Sequence, residues 1–354
     1  MKQVPVILFG AGGVGQALLR QIVAGRDIAA DRNQCHFDVV GVLDSRGWIW
    51  QPAGLSDEQL GQIVARKAAG QPLGDQRPDN MDVLPQLASG GLGDGLIVDV
   101  TAADGMEPVI DRALEGGCGV VLANKKPLAG PWEVARRYFN QPALRFEATV
   151  GGGQPVIATL RMLRDANDPV FEIEGQLSGT LGFICSRLDE GIPFSKALAE
   201  ADASGFTEPD PREDLGGQDV KRKIMILGRL AGWPLTDEDI AVEALYHPSL
   251  SHLSVPEFMT ASVAMDGSLQ DRVQAAAKAG TVLRYVARAT SEGGSVGLNA
   301  VPQGSPLASL KYVSFRTSRY DDESLLIGGK GAGVEMTAAG VLSDMIGLVR
   351  EMWR

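Results

Sequence analysis

The sequence has little histidine and little cysteine, three of each among 354 residues. The histidines are His36, His247 and His252, and the cysteines, Cys35, Cys118 and Cys185, lie far apart. Without clustered ligands at metal spacing, the composition argues against a zinc site. An odd cysteine count without a secretory leader fits a reducing cytoplasm, and Cys118 and Cys185 read as small core residues with no catalytic role. The opening "MKQVPVILFG" enters a strand pattern directly, with no apolar signal segment and cleavage site. No apolar run is long enough to cross a bilayer. Positive charge is in the minority as well: 33 Lys+Arg face 44 Asp+Glu, a net charge of −11. That balance repels phosphate backbones and anionic lipid, so neither nucleic acid nor membrane is an expected partner.

What is present is an ordinary globular composition, 44% hydrophobic and 22% charged, in a chain long enough for two domains. "VPVILF" reads as a buried strand, "VGQALLRQIVAG" as a helix with an apolar stripe, and "FDVVGVLD" as a second strand ending in Asp44. Residues 46–95, rich in Gly, Pro, Asp and Gln around the helical piece "SDEQLGQIVARKAAG", read as an insertion. "GLIVDVTA", "EPVIDRALEGG" and "GVVLANKKPLAG" continue the alternation of strand and helix. The fold class expected from this is α/β, a Rossmann-type doubly wound parallel sheet. After residue 150 the rhythm changes to helices plus the antiparallel strand patterns "TVLRYVARAT", "SVGLNAV" and "LASLKYVSFRTS". The expected division is therefore 1–150 as an NAD(P)-binding domain completed by a C-terminal helix, 335–354. A mixed α+β domain for catalysis and dimerisation, 151–334, makes up the rest.

Gly10, Gly12 and Gly15 form G-x-G-x-x-G directly after a strand and at the opening of a helix. That context turns a weak motif into a dinucleotide fingerprint. Gly10 permits the tight turn, Gly12 lets backbone approach a pyrophosphate, and Gly15 lets helix and strand pack closely. The helix start then offers free N–H groups and partial positive charge to the phosphates. Asp44 suits a ribose 2′-hydroxyl and hence NAD, whereas Arg46 suits the 2′-phosphate of NADP. The residues alone leave both cofactors open. Lys125 and Lys126 follow another strand end, as does Thr101, which points to one crevice beyond the strand termini. An exposed lysine pair in a turn before Pro127 is the competing reading.

The densest stretch is "GFTEPDPREDLGGQDVKRK", Gly205 to Lys223. Asp219 and Lys223 are four apart on a helical pattern whose apolar stripe runs Val220, Ile224, Leu227, Ala231. An isolated pair of this kind is a surface bridge worth about 0.3–0.5 kcal/mol. Here Glu208 and Asp214 lie just upstream on a proline-bounded loop. Gathered carboxylates of this sort can seat an α-amino group, and a lysine beside them can carry a proton to a carbonyl oxygen.

That stretch resembles the signature of homoserine dehydrogenases. "GAGGVG", "DVTA", "ANKKPLA", "EATVGGGQPVI", "LSGTLGFI" and "GAGVEMTAAGV" are similar to the family's other segments in order, so the resemblance spans nearly the whole chain. It is that of the short form, without an aspartate kinase or an ACT-type regulatory domain. Two departures are Leu122, where the family often has threonine, and the Gly- and Gln-rich insertion. The resemblance implies interconversion of L-aspartate 4-semialdehyde and L-homoserine with NAD(P)H, in threonine, methionine and isoleucine biosynthesis. It implies Lys223 as proton donor, Glu208 and Asp219 as holders of the substrate amino group, Asp214 as an assistant, and Lys125 beside the nicotinamide. Ala11, Gly12, Gly13, Val14, Thr101, Ala123, Gly205 and Gly333 would line the cofactor. A structural sodium ion at Glu147, Val150, Gly152 and Gln154 is implied too.

Two other readings compete: a catalytically silent dinucleotide-binding paralogue, and a related oxidoreductase acting on another amino aldehyde. The first would be marked by loss of Lys223, Asp219 or Lys125, and all three are present. The strand alternation in the second domain predicts a sheet shared in a homodimer.

Overall fold

The computed structural model describes residues 1–83 and 95–352. Part of the expected insertion, 84–94, and the last two residues of the expected C-terminal helix lie outside the described residues. The chain divides into two compact units, Met1–Pro155 with Ala332–Arg354, and Val156–Gly331. Among the described residues no helix is long and apolar enough to cross a membrane.

The first unit holds a seven-stranded sheet in the order β4-β3-β2-β1-β5-β6-β7. Its centre is β1 (Lys2–Phe9), parallel to β2 (Cys35–Leu43) on one side and to β5 (Leu96–Asp99) on the other. β6 (Gly119–Leu122) and β7 (Leu144–Arg145) extend it in parallel. These strands are short apolar runs because both faces are covered; Val6, Ile7, Leu8 and Phe9 are all buried. Strand order reverses between β1 and β5, which puts the crevice of a doubly wound sheet at their C-terminal ends.

The sheet is not wholly parallel. The segment after Asp44 supplies β3 (Gly47–Trp50) and β4 (Asp75–Gln76), each antiparallel to its neighbour. The cause is local: Asp44 Oδ1 accepts the N–H groups of Arg46 and Gly47, both at 2.8 Å, and turns the chain back on itself. A hairpin needs no crossover helix. Helix Asp57–Ala68 follows, started by a capping box between Ser56 and Gln59.

Helix α1 (Gly13–Ala24) buries Ala17, Leu18, Leu19 and Ile22. Its core neighbours include Ala338, Val341, Met345 and Leu348 of the C-terminal helix Val334–Met352. That helix thus packs within the first unit although its residues end the chain.

The second unit holds a six-stranded sheet in the order β13-β12-β8-β10-β11-β9. β10 (Thr281–Thr290) and β11 (Gly293–Pro302) form a long antiparallel hairpin, and β8 (Val170–Gly175) lies antiparallel between β10 and β12 (Tyr312–Thr317). β13 (Leu325–Gly328) closes one edge. At the other edge β9 (Ile240–Val242), which is not among the strands expected from the sequence, runs parallel to β11. It reaches the sheet through a long connection, so no hairpin dictates its direction. Residues 307–309, expected in a strand, form a helical turn, Pro306–Ser309. Helix Gln218–Ala231 is buried well beyond its expected stripe, with Met225, Ile226 and Leu230 also inside. Its buried cations are paired: Lys221 with Asp237 at 2.7 Å, and Arg229 with the Leu235 carbonyl at 2.8 Å.

Candidate functional site

In the first unit a cavity of about 420 Å³ opens at the ends of β1, β2 and β5. Gly10, Ala11, Gly12, Asp44 and Thr101 line it, so five of the expected cofactor residues meet there. Gly10 has φ 110° and donates its N–H to the Leu43 carbonyl at 2.8 Å. A Cβ on Gly15 would stand 2.0 Å from the Gly10 carbonyl oxygen, so only glycine lets α1 start this close to β1. Gly12 precedes α1 with no side-chain cap, which leaves the first-turn N–H groups to a ligand. Gly13 faces the Val334 side chain, and Gly333 precedes the C-terminal helix at φ 110°. Val14 and Ala123 are half-buried.

Asp44 is not an open acceptor. Besides its two backbone N–H bonds, its Oδ2 accepts Lys67 Nζ at 2.5 Å. Burial pushes the Asp44 carboxyl up, but these donors together hold it below its ordinary range. The exposed side chain of Arg46 is not on the cavity wall; Ser45, Lys67 and Arg77 are. Lys67 was not found from sequence because it looks like one more charge on the amphipathic helix Asp57–Ala68.

Beyond β5 and β6, a buried network joins the two strand ends. Asp99 Oδ1 accepts the Thr101 N–H at 2.9 Å and its hydroxyl at 2.7 Å, and Oδ2 accepts Asn124 Nδ2 at 3.0 Å. Burial pushes the Asp99 carboxyl up. Lys125 follows Asn124, is half-buried, and caps helix Lys126–Ala129; Lys126 itself pairs with Asp104 at 2.7 Å.

Glu147, Val150 and Gln154 are buried in the loop before Pro155. Asp344 of the C-terminal helix accepts the Glu147 N–H at 2.7 Å. A carboxylate and backbone carbonyls are hard donors that fit a hard cation. Gly152, however, turns its oxygen toward Gly340, where a Cβ would stand 2.3 Å away. Gln154 Nε2 is buried with no acceptor among the described residues. Among those residues there is no group of three or more His, Cys, Asp or Glu side chains that could hold a metal.

In the second unit the dense stretch folds into a fixed cluster. Asp210 caps the short helix Pro211–Leu215 and pairs with Arg212 at 2.7 Å, while Arg212 also donates to the carbonyls of Leu250, Ser251 and Leu253. The loop is thereby pinned from behind. Asp214 Oδ2 accepts the Glu208 N–H at 2.8 Å, and Oδ1 accepts the Thr180 hydroxyl at 3.1 Å. Burial, with Asp219 and Glu213 nearby, raises the Asp214 carboxyl. Lys223 Nζ donates to Asp219 Oδ2 at 2.8 Å and to the Leu177 carbonyl at 2.7 Å. The i,i+4 pair is real, and its lysine side chain is only 15% exposed. Gly205 sits at φ 68° in the turn after helix Phe194–Ala203, and Glu208 is exposed. Thr180 lies in the first turn of helix Gly179–Asp189 and Leu177 just before its cap Ser178; both were missed, one as a plain helix residue and the other because a backbone carbonyl leaves no mark in a sequence.

Comparison with known proteins gives a consistent pattern. Residues 155–346 match the family model described as homoserine dehydrogenase, and residues 10–139 match that of the homoserine dehydrogenase NAD-binding domain. The chain is 34% identical over 358 residues to the chloroplastic bifunctional aspartokinase/homoserine dehydrogenase 1 of Zea mays, covering 96% of this chain and 38% of that protein. It therefore spans about two fifths of the length of such bifunctional relatives. It is 35% identical over 294 residues to the homoserine dehydrogenase of Paracoccidioides brasiliensis, covering 77% of this chain and 79% of that protein. A crystal structure of a putative homoserine dehydrogenase from Archaeoglobus fulgidus superposes with a TM-score of 0.76 at 26% identity, over 97% of this chain and 98% of that one.

Proposed function

The chain belongs to the homoserine dehydrogenase family, and from that premise we propose that it interconverts L-aspartate 4-semialdehyde and L-homoserine with NAD(P)H. The observation that carries the reading is the anchoring of Lys223. An ammonium has three N–H donors. Asp219 and the Leu177 carbonyl take two, at 2.8 and 2.7 Å, which aims the third at a substrate oxygen.

When bound, the nicotinamide supplies the hydride to the aldehyde carbon. Lys223 donates its proton to the aldehyde oxygen as alkoxide charge develops there, and takes it back in the reverse direction. Glu208 and Asp219 hold the α-ammonium group. Asp214 orders Glu208 through its backbone N–H. Lys125 adds positive potential beside the nicotinamide.

The cofactor residues belong to the first unit: Gly10 to Gly15 at the start of α1, with Thr101, Ala123, Lys125 and Gly333. Because Lys67 already neutralises Asp44 on the cavity wall, the reading leans to NADP(H) over NAD(H). Glu147 and the Val150 carbonyl are the donors for a structural sodium ion. A homodimer is part of the same reading. It rests on the strand alternation of the second unit, since the small apolar cluster of Val286, Val301 and Ala308 is already buried within the single chain. The free cysteines Cys35, Cys118 and Cys185 suit a reducing cytoplasm.

The test is oxidation of NADPH, then NADH, with aspartate semialdehyde, alongside light scattering for the dimer. A purified protein that turns over neither cofactor would refute the assignment.

A further inference from the structure

The reaction gives no role to Asp99, a carboxylate with no exposed surface at the end of β5. Among the described residues no cation pairs with it. We propose that Asp99 and Asn124 act as a positioning pair, fixing the two strand-end segments that carry Thr101 and Lys125. The proposal rests on the reaction assigned above.

The bonds run from one carboxylate to both segments. Asp99 takes two donors from Thr101 and one from the Asn124 amide, at 2.7 to 3.0 Å. The Asn124 amide also donates to the Ala103 carbonyl at 2.9 Å, and its oxygen accepts the Lys126 N–H at 3.1 Å. The Asp99 carbonyl meanwhile accepts the Ala123 N–H at 2.8 Å. Lys125 is thus flanked on both sides by residues tied to this network, which restricts the path of its backbone. Only an acceptor with two oxygens satisfies three donors here without presenting a donor of its own.

Asparagine at position 99 would set one NH₂ group against another. Rotating the Asn124 amide does not cure this, because its NH₂ would then face the Lys126 N–H and the Ala103 carbonyl would lose its donor. Exchanging the two side chains restores every bond except those of the Asn124 amide to the Ala103 carbonyl and, at 3.4 Å, to the Thr101 hydroxyl. This donor–acceptor logic separates a positioning pair from mere packing.

The experiment compares wild type, Asp99→Asn, Asn124→Asp and the exchanged double variant, with thermal melts to confirm folding. The readouts are kcat, the NADPH Kd, and hydrogen exchange at the Thr101 and Lys126 amides. Asp99→Asn should lower kcat about 10- to 100-fold, the scale of a misplaced reacting group, while the NADPH Kd stays within about threefold. Exchange at both amides should quicken, and the double variant should recover part of both effects. Unchanged exchange at both amides, or a double variant no better than the worse single one, overturns the pairing. If Asp99→Asn does not fold, Asn124→Ala takes its place, with unchanged exchange at Lys126 as the refuting result. A wild type without turnover removes the assigned reaction but leaves hydrogen exchange to judge the pair.

Discussion

Lys67 donates to Asp44 over 2.5 Å, and each side chain is only 10% exposed. The pair joins helix Asp57–Ala68 to the end of β2 on the wall of the dinucleotide cavity. The acid that the sequence offers to a ribose hydroxyl is therefore occupied at both oxygens, and a cation stands beside it. Lys67→Ala should weaken NADPH binding by about 1–3 kcal/mol, the range of a hydrogen bond to a charged group, and affect NADH much less. Arg46→Ala, at an exposed position off the wall, should cost NADPH less than Lys67→Ala does. Fluorescence titration gives both constants for each variant. Equal losses for the two cofactors in Lys67→Ala would mean that this lysine does not select.

The same pair fixes the sign of a pH effect. Asp44 is held low in the folded chain by Lys67 and two backbone N–H groups, which outweigh its burial. A carboxyl depressed by folding contributes stability above its unfolded pKa, and loses it as the pH falls through the folded value. The window is therefore acidic, below about pH 4. In melts between pH 7 and pH 3, wild type should lose more stability than Asp44→Asn at the acid end. Parallel curves would show that Asp44 carries no linked stability.

Lys223→Ala should lower kcat by about 10²–10⁴-fold, the worth of a general acid, with the NADPH Kd nearly unchanged. Lys223→Arg should not restore it, since a planar guanidinium cannot reproduce the two bonds to Asp219 and Leu177 and still release a proton. A kcat within about threefold of wild type for Lys223→Ala would take Lys223 out of the mechanism.

Glu208→Ala should raise KM for homoserine about tenfold, near 1.4 kcal/mol, because the α-ammonium loses its partner. Asp214→Asn should act in the same direction but more weakly, since Asp214 meets Glu208 through its backbone N–H. An unchanged KM in both variants would place the ammonium elsewhere.

How much of this was legible in the sequence depended on distance along the chain. The turn from β1 into α1 could be read because Gly10, Gly12 and Gly15 sit together between two apolar patterns. Asp219 and Lys223 could be read because one helical turn brings them together. Lys67 could not be tied to Asp44, since 23 residues separate them and the partner lies across a hairpin. Thr180 reaches Asp214 over 34 positions and Leu177 contributes only a backbone oxygen, so neither shows a pattern. β3 and β4 escaped notice because they lie in a Gly-, Pro- and Gln-rich segment and lack the continuous apolar run that marks β5 and β6, which are no longer than β3.

Gly217 sets where helix Gln218–Ala231 begins. It precedes helix Gln218–Ala231 at φ 69°, and a Cβ there would lie 2.2 Å from the Tyr285 hydroxyl and 3.0 Å from Val242. Tyr285 is buried and donates to the Glu243 carbonyl at 2.7 Å, so it cannot retreat without losing that bond. Gly232 ends the same helix at φ 103°, but a Cβ there would meet nothing within 4 Å. Gly232→Ala should therefore cost only the left-handed backbone penalty, about 1–2 kcal/mol. Gly217→Ala adds a displaced hydroxyl, about 1–3 kcal/mol more. Relief of the clash would tilt the first helical turn, which carries Asp219, and with it Lys223. Gly217→Ala should thus show both a larger drop in melting temperature and a lower kcat, whereas Gly232→Ala should keep its kcat. If the two variants match in both measurements, the Tyr285 contact does not hold the turn that presents the proton donor.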